Sequence, residues 1–89
     1  MRTPPKRFEI LVVPEHVVGH DGTFRPEDAI RSALVEATGE GGASGYPRYA
    51  GQGVVADIDP ATRTVEAVLV DGAELDYGLT VRVVDAPLG

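Results

Sequence analysis

Cysteine is absent from this 89-residue chain, which excludes a disulfide frame, a thiolate nucleophile and a cysteine-held zinc ion. Tryptophan and asparagine are missing too, and Lys6 is the one lysine against seven arginines. That bias, with abundant Val, Ala and Gly, is expected of a GC-rich bacterial coding sequence and carries no functional reading. Positive charge is scarce: eight Lys and Arg stand against fourteen Asp and Glu, for a net charge of −6. Such a balance opposes broad affinity for nucleic acid or an anionic membrane. Long apolar runs are lacking as well. The basic start Met1–Arg7 is followed by six mostly apolar residues, Phe8–Val13, interrupted by Glu9, where a secretory leader needs about 7–15 apolar positions. Cytoplasm is therefore the expected location.

What is present fits one small globular unit: 43% hydrophobic and 25% charged residues with a mean hydropathy of −0.04. Residues 1–7 carry three positive charges and a Pro4-Pro5 pair and read as a flexible basic tail, leaving 8–89 as a single domain. Phe8–Val13 is rich in β-branched residues and stopped by Pro14, which predicts a strand. Pro14–Arg25 reads as a loop. A helix is predicted from Pro26 to about Thr38. Proline suits its first position, Glu27 and Asp28 suit the positive end of its dipole, Gly39 suits its stop, and Ala29, Ile30, Ala33, Leu34 and Ala37 recur at spacings of three and four.

Residues 39–53 hold six glycines around Tyr46-Pro47-Arg48-Tyr49 and read as a long loop. The remainder reads as a meander: Gly53–Asp59, a turn at Asp59-Pro60, Arg63–Val70, a turn at Asp71-Gly72, then Leu79–Val84. The order β-α-β-β-β predicts an α+β two-layer sandwich, one helix packed on a four-stranded, mostly antiparallel sheet.

Side chains alternate along a strand, so each strand divides into two faces. One face gathers Phe8, Ile10, Val12, Val54, Ala56, Ile58, Val65, Ala67, Leu69, Leu79, Val81 and Val83, and is expected to take the helix. The other is half aliphatic, with Leu11, Val13, Val55, Val68, Val70 and Val84 among polar residues. A helix about 20 Å long shields roughly half of one face of a four-stranded sheet and leaves the second bare. That second face is covered either by the chain's own long loops or by a partner. A contiguous apolar patch of several hundred Å² favours the partner.

Motifs with chemistry are weak. His16, His20 and Asp21 have a metal-like spacing, but Val17, Val18 and Gly19 make a poor helix and no H-E-x-x-H pattern is present. The glycine loop matches neither G-x-G-x-x-G nor G-K-[ST], and Ser44 lacks the nucleophile-elbow setting. Asp57 and Asp59 share a strand face without calcium-loop spacing, and Glu66, Asp71, Glu74 and Asp76 extend an acidic end. Tyr46, Arg48 and Tyr49 combine stacking planes, hydroxyls and a forked cation suited to a protein or peptide contact.

The composition and patterning point to a non-enzymatic protein-interaction module, expected as a homodimer. It would act through Leu11, Val13, Val55, Val68, Val70 and Val84 on the second face, with Tyr46, Arg48 and Tyr49 as loop contacts. No catalytic residue, metal or cofactor is expected; the partner is a protein or a second copy. A second reading is a small ligand-binding or catalytic subunit with a pocket under the two long loops, using His16, His20, Arg48 and the tyrosines. A third is an acidic inhibitor or regulator of a nucleic-acid-handling protein, of the kind phages encode.

Overall fold

A computed structural model describes residues 6–41 and 45–86. Apart from two short 3-10 turns, the regular structure of the described residues is all strand: β1 Arg7–Pro14, β2 Arg31–Gly41, β3 Pro47–Gly51, β4 Val54–Asp59, β5 Thr64–Val70 and β6 Leu79–Asp85. They form one sheet in the order β5-β4-β3-β2-β1-β6, every neighbour antiparallel. The sheet curls until its two edge strands, β5 and β6, approach each other, and an Arg63–Asp85 ion pair at 2.7 Å bridges them at one end.

This overturns the α+β sandwich. The stretch expected to be a helix holds only a 3-10 turn, Pro26–Asp28, and then becomes β2. The start signals were those of a turn: Pro26 at its first position and Glu27 and Asp28 beside it, with the chain already extended at Ala29. The following residues satisfy two periodicities. Ala33 and Leu34 continue the helical stripe, but Ala33 and Val35 also alternate, and both are buried. Strand β1 decides between them, because Phe8 pairs with Val35 and Ile10 with Ala33, which closes the barrel interior over those residues. Residues 39–53 likewise are not one long loop. They contain the end of β2, the strand β3, and a two-residue hairpin turn at Gln52-Gly53, where φ is +50° and +85°. Positive φ at both positions matches the right-handed twist of the flanking strands. Gly51 must lack a side chain, since a Cβ there would run into the main-chain carbonyl of Leu34 where β2 and β3 cross closely.

The four strands read from sequence are present, and so are the turns at Asp59-Pro60 and Asp71-Gly72. Inside the barrel lie Phe8, Ile10, Ala33, Val35, Tyr49, Val54, Ala56 and Ile58, with Val65, Val68, Val70, Val81 and Val83 packed against them. The rings of Phe8 and Tyr49 are tilted at 59° with centroids 5.1 Å apart, a favourable offset contact. The face assignment is corrected in β5. Asp57 pairs with Ala67 but Ile58 pairs with Val65, so Glu66 is an extra residue in a β-bulge. The bulge turns Val68 and Val70 inward and puts Ala67 and Leu69 outside.

Candidate functional site

The outward surface has two parts, separated by what covers them. The connection between β1 and β2 folds back over β1: Ile30 N donates to Val12 O at 2.8 Å, and Pro26, Ala29 and Ile30 line a groove of about 440 Å³ with Glu9, Leu11, Arg31 and Ser32. Leu11 is 4% exposed and Val13 fully buried, so the chain's own loop shields both. Val17, Val18 and Phe24 of that loop are half-buried. Of the six aliphatic positions expected on the second face, Leu11 and Val13 are thus covered, Val68 and Val70 point inward, and Val55 and Val84 remain half-exposed on the outside.

Four large apolar side chains are exposed among the described residues: Tyr77, which is fully exposed, Ile30 at 62%, Leu69 at 41% and Leu34 at 37%. Ile30 lines the groove, and Leu34 lies on β2. Leu34 pairs with Glu9 and Glu9 with Val84, so the three form one row across β2, β1 and β6. The carboxylate of half-buried Glu9 has no hydrogen-bond or ion-pair partner among the described residues. A lone carboxylate among Leu11, Ile30, Leu34 and Val84 is unusual, because apolar surroundings penalise charge that is not paired.

Arginine pairing is informative across the molecule. Four of the described arginines meet carboxylates: Arg7 with Glu36 at 3.3 Å, Arg31 with Asp71 at 2.6 Å, Arg48 with Asp57 at 3.0 Å and Arg63 with Asp85 at 2.7 Å. Arg25 and Arg82 meet none among the described residues. Arg25 immediately precedes Pro26 at the groove wall. Sequence reading missed Glu9, Arg25, Ile30, Leu34 and Arg82; once pairing across the sheet is known, the signal is which charges are left over.

Other sequence candidates have local roles. Arg48 lies directly across from Asp57 on β3 and β4, and the Asp57 hydrogen bond holds its guanidinium further in the charged form. Tyr49 is a core residue, not a loop contact, and burial pushes its phenol above the ordinary tyrosine range. Tyr46 is half-buried. Asp21 accepts hydrogen bonds from the Thr23 hydroxyl at 2.7 Å and the Thr23 amide at 3.1 Å, and the hydroxyl bond chiefly holds its carboxyl below the usual range. That turn occupies the carboxylate a metal would need. No group of three or more His, Cys, Asp or Glu is placed to hold a metal ion among the described residues. Asp59 caps its own turn through Ala61 N at 3.0 Å. Ser44 lies outside the described residues.

The elements for a pocket under the two loops are also apart. His16 follows the end of β1, whereas Arg48 sits at the start of β3, and antiparallel pairing through β2 puts those at opposite ends of the sheet. No described helix is long and apolar enough to cross a membrane. No known family matches the chain, and neither a curated protein nor a solved structure matches it significantly.

Proposed function

We propose that the chain is a non-enzymatic protein-interaction module that works as a homodimer, docking through the groove beside Ile30. The observation that carries this reading is self-complementarity. Ile30, 62% exposed, forms one wall of a mixed polar and apolar groove, unpartnered Glu9 lies in that groove, and Arg25, which meets no carboxylate among the described residues, immediately precedes Pro26 of its wall. A two-fold axis repeats one patch against itself, so each knob meets the other copy's hole and each cation the other copy's anion. Arg25 of one copy then neutralises Glu9 of the other, and Ile30, Leu34 and Val84 leave water together. This face takes the place of the wider aliphatic face expected from sequence and keeps Val84 from it.

Sedimentation or light scattering across a concentration series tests the proposal. The wild type should be dimeric, Ile30→Glu and Glu9→Arg each monomeric, and Glu9→Arg combined with Arg25→Glu dimeric again. Added salt should weaken the dimer, because rim charges are screened. A wild type that stays monomeric at high concentration, or a double variant that fails to recover the dimer while keeping its native spectrum, overturns it.

A further inference from the structure

The seam between β5 and β6 is independent of the Ile30 groove. Among the described residues no strand is hydrogen-bonded to the far side of either, so the described barrel carries two free edges. Between them runs a slot of about 470 Å³, lined by Thr62–Val65 on one side and Thr80–Val83 on the other. The two edges are not equally open to pairing. β5 carries the bulge at Glu66, and a bulge with a charge on it is a standard way to blunt an edge. β6 pairs with β1 in unbroken register from Leu79 to Asp85, so its backbone offers a regular ladder on the outer side.

Arg82 stands in the middle of that strand. Its Nη1 donates to Thr80 Oγ1 at 2.9 Å and to Val81 O at 3.0 Å, which fixes the guanidinium on the strand. Its Nε and Nη2 donate to nothing among the described residues, and no carboxylate lies within ion-pair distance. A half-buried guanidinium held on one side and free on the other is pre-oriented for an anion, since the fork matches a carboxylate. A second copy of β6 does not fit. Fully overlapped antiparallel pairing of Leu79–Asp85 with itself would set Arg82 against its own copy, and like charges directly opposite destabilise a sheet.

We propose that β6 is an acceptor strand: an extended segment of another protein bearing an acidic side chain adds to its free edge, and Arg82 binds the carboxylate. Main-chain hydrogen bonds supply affinity and the Arg82 contact supplies choice, as in other strand-addition sites. The slot borders four residues of β6, so the recognised segment is short, about 13 Å at roughly 3.3 Å per residue.

Titration of 15N-labelled protein with two blocked peptides tests this, acetyl-Thr-Val-Glu-Val-Thr-amide and the same peptide with Gln in place of Glu. Shift changes should be confined to Thr62–Val65 and Thr80–Val83. The Glu peptide should bind about tenfold more tightly, as a charge-assisted hydrogen bond outweighs a neutral one. Arg82→Gln should abolish that difference while leaving weak binding of both. Equal affinities for the wild type, or no shifts with either peptide, would overturn the proposal. So would edge amides of β6 that exchange as slowly as those of β1 in the free protein, since β5 would then already occupy the edge.

Discussion

Arg31 and Asp71 are forty residues apart and joined by two hydrogen bonds, Nη1 to Oδ2 at 2.6 Å and Nη2 to Oδ1 at 3.0 Å. Nη2 also donates to Gln52 O at 3.0 Å, and Asp71 N donates to Gly53 O at 2.7 Å. One ion pair thereby ties the start of β2 to the β3–β4 turn and to the turn after β5. The fork-to-carboxylate geometry is the reason for giving it weight, since a single-point surface pair contributes little.

The hydrogen bond from Arg31 holds the Asp71 carboxyl below its ordinary value of 3.8. A carboxyl depressed in the folded state stabilises the fold at every pH above its unfolded value. That contribution is lost as pH falls through the folded value. The melting temperature of Asp71→Asn should therefore lie below that of the wild type near neutrality, and the gap should narrow as pH drops below about 4. A gap of the same size at pH 7 and at the acid end would show that Asp71 acts only through its turn.

Gly53 and Gly72 share a left-handed conformation, with φ of +85° and +82°, but differ in surroundings. A Cβ on Gly72 meets nothing within 4 Å, while one on Gly53 comes within 2.6 Å of Arg31 Nη2 and Asp71 Oδ1. Gly72→Ala should cost about 1 kcal/mol for the backbone alone, and Gly53→Ala about 1–3 kcal/mol because the ion pair must also move. Denaturant melts read the difference. In an Asp71→Asn background, where the pair is already lost, the two alanine variants should converge. Equal penalties in the wild type would remove the Arg31–Asp71 contact from the explanation.

The strands that were legible in the sequence are those whose own residues force them. Phe8–Val13, Val54–Asp59, Thr64–Val70 and Leu79–Val84 are dense in β-branched side chains and bounded by turn residues, so local preference and tertiary structure agree. β2 was not legible because Ala33, Leu34, Glu36 and Ala37 favour a helix locally, and only pairing with β1 makes them a strand. β3 was hidden among glycines. Its one large inward residue, Tyr49, is followed by Ala50 and Gly51, and Gly51 is small because Leu34 passes so close. The candidate site was less legible still. The aliphatic excess expected on a second face loses Val68 and Val70 to the interior through the β5 bulge, and burial of Leu11 and Val13 depends on where a seventeen-residue stretch, 14–30, lies, which no local rule supplies. Exposure of Ile30 and the lone charges of Glu9 and Arg25 likewise follow from pairing at long range.

Glu66, the extra residue of the β5 bulge, decides which side chains of that strand face the interior. With it in place, Glu66 and Ala67 both lie outside, after inward Val65 and before inward Val68. Without it, Val65, Ala67, Val68, Leu69 and Val70 would alternate in and out without interruption. Deleting Glu66 should therefore leave the barrel folded, with Val65, Val68 and Val70 still inward, instead of exchanging the two faces. It also removes the bulge and the charge that blunt the β5 edge, so the deletion should raise the rate of aggregation at high concentration. A dispersed amide spectrum with unchanged core methyl shifts, together with faster growth of light scattering, is the expected pair of results. A deletion variant that unfolds would mean that the extra residue is needed for the curvature that brings β5 round to β6.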